Sequence, residues 1–288
     1  MKTTLFILLQ HLVPQHFLSR VVGWFANTQI KCIKKPFIHW FIKRYQVDMS
    51  IAADPNPDSY RNFNAFFTRP LAAGQRPISE NSQHIVCPAD GGISQIGPIE
   101  GGRIFQAKGH YFTLEELLGG DSQLARPFYN GLFATIYLSP KDYHRVHMPY
   151  TGSLTTMIHV PGKLFSVNTT TTAKVPGLFA RNERVIALFD TSIGPMAVIM
   201  VGAMIVAGIE TVWDGQITPI KNRVQTIHYG SNQSAIALEK GEEMGRFMLG
   251  STAIVLFPKD SITWSESLSA QSSVVMGQPL GTVNLAPK

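Results

Sequence analysis

A chain of 288 residues, 44% of them hydrophobic, is long enough for one large domain or two small ones and too apolar to stay disordered. Two cysteines, Cys32 and Cys87, exclude a disulfide framework, and there is no CxxC pair, P-loop or Gly-x-Gly-x-x-Gly turn. The net charge of +6 is gathered at one end: Lys2, Arg20, Lys31, Lys34, Lys35, Lys43 and Arg44 all precede Asp48, the first acid, while the other 18 basic residues face all 19 acids.

That basic segment, residues 1–47, is predicted to be helical. Phe17, Leu18, Val21, Val22 and Phe25 recur near helical spacing with Trp24 beside them, behind a Pro14 that suits a first turn. After Asn27-Thr28, a second run interleaves Ile30, Ile33, Phe37, Ile38, Trp40, Phe41 and Tyr45 with cations. No stretch of 18 apolar residues occurs, so no membrane-spanning helix is expected. Leu5-Phe6-Ile7-Leu8-Leu9 is short and no small-residue cleavage site follows, so no signal peptide is expected. Aromatic-rich helices without acids suit an anionic membrane surface, apolar face down and lysines toward the headgroups. Helices that simply cover the core are the other reading; nucleic acid fits less well and is not expected as a partner.

Residues 48–84 read as a connector, broken by Asp54-Pro55-Asn56-Pro57-Asp58, Arg69-Pro70 and Arg76-Pro77, with one short helix near 60–67. From 85 to 288 short apolar runs are split by glycine and proline, with strands expected at 132–138, 154–160, 185–190, 196–206, 224–228 and 252–257 and a helical turn at 113–118. The expected fold class is α+β: a compact β-rich core behind N-terminal amphipathic membrane-surface helices.

Three stretches carry chemistry. Cys87-Pro88-Ala89-Asp90-Gly91-Gly92 sets an acid before two glycines; a turn capped by Asp90 explains it equally well. Ser139-Pro140-Lys141-Asp142-Tyr143-His144-Arg145-Val146-His147-Met148-Pro149 holds two histidines three apart. They lack a third metal ligand, so no metal site is expected, and a neutral imidazole acting as base fits better. His84, His110, His159 and His228 receive no role. Gly245-Arg246-Phe247-Met248-Leu249-Gly250-Ser251-Thr252 delivers a serine into an apolar strand. The Ser251 hydroxyl is placed to attack the preceding Gly250 carbonyl through a five-membered ring, turning peptide into ester. Asp90, His147 and Ser251 together follow the logic of an acid, a base and a nucleophile, in which chain order is free. What the serine attacks stays open at this point. A serine hydrolase acting on an external ester is one alternative, although Ser251 is not in a Gly-x-Ser-x-Gly elbow. A non-catalytic β-rich lipid-binding module is another.

These stretches resemble the bacterial, membrane-associated, pyruvoyl-dependent phosphatidylserine decarboxylases. The resemblance rests on Pro88-Ala89-Asp90-Gly91, Tyr143-His144-Arg145-Val146-His147-Met148-Pro149, Pro161-Gly162-Lys163-Leu164-Phe165-Ser166-Val167-Asn168, Leu178-Phe179-Ala180-Arg181-Asn182-Glu183-Arg184-Val185, Val201-Gly202-Ala203, and the Gly245 to Thr252 stretch. It implies that 85–288 is a catalytic domain that cuts itself between Gly250 and Ser251, with His147 as base and Asp90 orienting it. The ester then eliminates to dehydroalanine, which hydrolyses to a pyruvoyl group and ammonia. Chains 1–250 and 251–288 would stay together as a heterodimer, open to further dimerisation. Phosphatidylserine would be converted to phosphatidylethanolamine on the cytoplasmic side of the cell membrane, with the protein bound peripherally to the anionic surface. His144, next to the base motif, is expected to return the proton to the substrate Cα or to touch the headgroup.

Overall fold

A computed structural model describes residues 10, 14–204, 208–218, 223–230, 235–248 and 251–284. Expectations about residues 5–9, the end of the 196–206 strand and Gly250 lie outside the described residues. The described strands, in chain order, are β1 (His84–Val86), β2 (Gly91–Pro98), β3 (Arg103–Ala107), β4 (His110–Thr113), β5 (Leu132–Leu138), β6 (Arg145–His147), β7 (Gly152–Val160), β8 (Arg184–Thr191) and β9 (Gly194–Val201). They continue with β10 (Ile209–Thr211), β11 (Gly215–Gln216), β12 (Gln225–His228), β13 (Ala237–Leu238), β14 (Glu243–Phe247), β15 (Ser251–Phe257), β16 (Ile262–Trp264), β17 (Ser273–Val274) and β18 (Pro279–Val283).

Nine of them form one antiparallel sheet in the order β12-β7-β8-β9-β15-β5-β2-β17, with β13 also pairing β7. The central strand β15 is buried along its whole length. It pairs with β5 from Ser251 opposite Leu138 to Phe257 opposite Leu132, and with β9 from Thr252 opposite Val201 to Leu256 opposite Ala197. Successive side chains of a strand point to opposite faces. Here both faces are covered: Ala253, Val255 and Phe257 enter one apolar cluster, and Ile254 and Leu256 enter another. That double burial is why the segment reads as an unbroken apolar run and not as an alternating one.

The first face carries two small sheets, β11-β10-β14-β6 and β1-β18-β16, which contribute Val146, Ile209, Phe247, Ile85, Leu280 and Ile262. The second carries the β3–β4 hairpin and short helices, with Ile104, Phe112, Leu117, Phe128 and Phe179. The helical turn expected at 113–118 is Leu114–Leu117, started by a capping box between Thr113 and Glu116.

The basic segment forms α1 (Gln15–Ala26) and α2 (Lys31–Tyr45), and the connector helix is α3 (Phe63–Phe67), capped by Asn62. Ile38 and Phe41 of α2 pack with Phe63, Phe66 and Phe67 of α3 in a shared aromatic core. Against the core α1 turns Gln15, Ser19, Gly23 and Ala26; Phe17, Val21 and Trp24 project outward. Its docking is polar: Gln15 Oε1 accepts from the Leu164 amide at 2.8 Å, Gln10 Oε1 accepts from the Ser166 amide at 2.9 Å, and the His16 imidazole donates to the Gly162 carbonyl at 2.8 Å. Not all the lysines face outward as expected. Lys34 is buried and donates to the Tyr60 carbonyl, and Lys35 is paired with Asp58 at 2.8 Å. Among the described residues no helix is long and apolar enough to cross a membrane.

Candidate active site

Ser251 opens β15, opposite the last residue of β5. It is 0% exposed, and neither its Oγ nor the Oγ1 of Thr252 has a hydrogen-bond partner. Buried hydroxyls almost always find partners, so an orphaned one at the head of a central strand calls for a chemical reason. Phe247, four residues earlier, ties this segment to the histidine motif by donating its amide to the His144 carbonyl at 3.0 Å.

His147 ends β6, next to β14. Its amide donates to the Pro88 carbonyl at 2.8 Å, which brings the Asp90 turn alongside. Its Nδ1 donates to the Gly241 carbonyl at 2.8 Å, so the basic lone pair is on Nε2, where the Tyr143 hydroxyl donates to it at 3.0 Å. Burial pulls its pKa below that of an ordinary imidazole, with the Gly241 bond and the charges of Glu243 and Asp90 opposing. The ring is therefore neutral, the form a base needs.

Asp90 does not orient that ring directly. Its carboxylate accepts from Arg76 through Nε, at 2.8 and 3.0 Å, and through the terminal nitrogen, and Oδ1 also accepts from the Met276 amide at 2.8 Å. No Asp90–His147 hydrogen bond is formed; the Gly241 carbonyl holds the imidazole and the Arg76 fork has claimed the carboxylate. The next residue, Gly91, has φ +155°, and a Cβ there would stand 2.2 Å from the Tyr137 carbonyl oxygen, so only glycine lets β2 close on β5.

His144 is 0% exposed, with its ring 3.9 Å from that of Phe67. Its Nδ1 donates to the Asp142 carbonyl at 2.8 Å, and its Nε2 has no partner. Burial pushes its pKa down to about 3. The Phe247–His144 bond and the β5–β15 pairing thus bring the segment bearing Ser251 alongside the motif of the two histidines, with the Asp90 turn held against His147 through Pro88. Sequence reasoning missed Tyr143, which lay inside the motif, and Arg76, which looked like a connector residue beside a proline. Among the described residues no three His, Cys, Asp or Glu side chains gather as metal ligands would.

A buried base and a buried, unpartnered hydroxyl suit attack on a group already in place better than attack on a substrate from solvent. Comparison with known proteins gives the family. Residues 63–282 match the family model described as phosphatidylserine decarboxylase, and residues 5–46 match one described as PSD. A phosphatidylserine decarboxylase proenzyme of Pseudomonas putida is 59% identical over 281 residues, 97% of this chain and 98% of its own length. Proteins of the same name from Ectopseudomonas mendocina and Pseudomonas fluorescens are each 58% identical, over 99% of this chain and all of theirs. With the match spanning the core, the site and the arm, the chain belongs to the phosphatidylserine decarboxylase family.

Proposed function

We infer that this protein decarboxylates phosphatidylserine to phosphatidylethanolamine, using a pyruvoyl group that it makes from its own Ser251. The observation that carries the reading is the Ser251 hydroxyl: fully buried, unpartnered, and heading the central strand of a chain 59% identical to proenzymes.

Ser251 fits the precursor of such a group because its buried oxygen has no hydrogen-bond partner among the described residues. His147 Nε2 takes the hydroxyl proton once Tyr143 releases it, and Nδ1 stays fixed on Gly241 throughout. Asp90 acts through its charge, which favours the imidazolium that forms. The oxygen bonds to the Gly250 carbonyl carbon, the Gly250–Ser251 C–N bond breaks, and the freed amine takes the proton. Elimination then expels the Gly250 carboxylate and leaves dehydroalanine, whose hydrolysis releases ammonia. The pyruvoyl group so made supplies what no side chain offers, a carbonyl that takes up the electron pair left when CO₂ departs. With its Nδ1–H held on the Asp142 carbonyl and its charged form disfavoured by burial, His144 presents a bare Nε2, which carries no proton to return to the substrate Cα and suits a contact with a donor of the headgroup.

Chains 1–250 and 251–288 would remain a heterodimer, because the shorter one contains β15. The outward face of α1, with Phe17, Val21 and Trp24 around Arg20, supports a peripheral seat on an anionic membrane, and the cytoplasmic side is what the family resemblance implies.

An intact-mass spectrum of the purified, denatured protein tests the self-processing. Two species divided after Gly250, the smaller lighter than its sequence by one ammonia, are expected, together with an uncut and inactive Ser251→Ala variant. A single full-length species that persists on long incubation would move an ordinary serine hydrolase to the front.

A further inference from the structure

Among the described residues, Arg69 and Arg184 are buried and Arg76 and Arg145 are partly so, and all of them but Arg69 have carboxylates or carbonyls in close reach. Arg184, 2% exposed, donates to the carbonyls of Leu117, Ala180, Asn182 and Glu116. Arg76 forks onto Asp90, and Arg145 bonds Glu243 at 2.6 Å and the Thr68 carbonyl at 2.9 Å. Arg69 is 1% exposed and has no such set. Its Nε has no partner, a terminal nitrogen makes one long 3.4 Å contact with the Lys141 carbonyl, and its Cζ stands 5.5 Å over the Phe66 ring. Among the described residues no carboxylate lies within ion-pair distance of it. The charges of Asp90, Asp48 and Asp142 reach it only from a distance, and burial outweighs them, so a cation held out of water with no anion in contact is favoured further when one arrives.

The position says which anion. Arg69 follows α3, whose Phe67 lies against His144, and its contact residue Lys141 lies in the turn after β5, whose last residue faces Ser251. The charge of Arg69 reaches His144 and helps to keep that ring neutral. Arg69, His144 and Ser251 each bury a polar atom without a partner.

We propose that Arg69 is the anion anchor of the substrate site and that it binds the phosphodiester of the lipid headgroup. The assignment rests on the function proposed above. The headgroup carries two anions, and only one survives the reaction. A guanidinium on the carboxylate would stabilise the substrate and lose its partner as CO₂ leaves, which raises the barrier. The phosphodiester keeps its charge from substrate to product, and the planar fork of arginine matches its oxygens. Such binding is uniform along the reaction, so its loss falls chiefly on KM, with only the minor influence of Arg69 on His144 left to reach kcat.

Arg69→Met and Arg69→Lys, made in the full chain, test this. Arg69→Met removes a charge whose burial outweighs the carboxylates acting on it from a distance, so it should cut itself as wild type does and melt at about the same temperature. Its KM for phosphatidylserine in mixed micelles should rise tenfold or more, with Arg69→Lys between the two. Glycerophosphoethanolamine and glycerophosphoserine should both lose potency as inhibitors of Arg69→Met by a similar factor. Loss confined to glycerophosphoserine would give Arg69 to the carboxylate and overturn the assignment. A lower melting temperature or failed cleavage in both variants would make Arg69 structural and overturn it too. Wild-type protein that never cleaves would instead overturn the proposed function, so the two failures are separable.

Discussion

His144 and His147 stand three residues apart and are both neutral, yet they meet different fields. His147 keeps a little exposure, and Glu243 and Asp90 favour its charged form. His144 is sealed under Phe67, with the positive Arg69 nearby, and its pKa falls from 6.5 to about 3. Stability depends on pH accordingly. As pH falls through 6.5 an unfolded His144 takes a proton, while the folded one refuses it until about 3. In that window the unfolded chain binds more protons, so acid destabilises the fold, and above 6.5 the contribution is fully present. At roughly 1.4 kcal/mol per pKa unit, the loss between pH 6.5 and 4 is on the order of 3 kcal/mol. Urea unfolding should show it in a Ser251→Ala background, which keeps the chain whole. Adding His144→Gln should remove that part of the slope, while the carboxylates common to both proteins cancel. Parallel slopes would mean that His144 titrates as a solvated imidazole.

The strand β15 has to survive being cut at its own start. All seven of its residues are buried, both neighbours are paired to it, and both faces are packed. Native mass spectrometry of the cleaved protein should therefore show the two chains together until denaturant unfolds the sheet. Leu256→Ala, at a 0% exposed position, should cost about 2–5 kcal/mol and release the short chain at lower urea. Chains that part on simple dilution would contradict this. The same double burial made the central strands legible: 132–138 is matched by β5 residue for residue, and 252–257 is β15 less its first residue. The strands expected at 154–160, 185–190 and 224–228 likewise fall on β7, β8 and β12, whereas β2 and β6 were not legible, for physical reasons. β2 begins at Gly91-Gly92, ends at Pro98 and is half-exposed, so it carries neither a strand propensity nor an alternation. β6 is three residues inside a polar motif, and its pairing with β14 depends on a partner almost a hundred residues away. Within the site, Asp90, His144, His147 and Ser251 could be named from their local motifs. The acceptor for His147 could not, because Gly241 offers only a backbone carbonyl. Arg76 could not either, since its claim on Asp90 exists only once the connector folds over the core.

Across the whole molecule, the arm divides its side chains between two duties. Its small and polar residues dock on the core through the Gly162 to Ser166 loop, and its aromatic residues split between the shared core with α3 and the outside. Periodicity alone showed α1 to be amphipathic; which face turned inward was settled by that docking loop. Removing residues 1–47 would also strip Ile38 and Phe41 from Phe63, Phe66 and Phe67, so a truncation would test folding as much as membrane binding. Point changes separate the two. Phe17 is 61% and Trp24 76% exposed, and both border the same outward hollow with Arg20 and Val21. Phe17→Ser with Trp24→Ser takes nothing from the core, so cleavage and melting temperature should hold. Each lost aromatic removes about 1.5–3 kcal/mol of apolar burial in the interface, enough to weaken vesicle binding at least tenfold. The residual binding should be electrostatic, carried by Arg20, Lys31, Lys43 and Arg44 at about 1 kcal/mol each. It should therefore vanish when salt is raised or when anionic lipid is replaced by phosphatidylcholine. Sedimentation with vesicles of both compositions at low and high salt reads all of this. If the double variant binds anionic vesicles as tightly as wild type, the membrane face lies elsewhere than on α1; if wild-type binding ignores salt and lipid charge, the basic residues of the arm serve the fold and not the membrane.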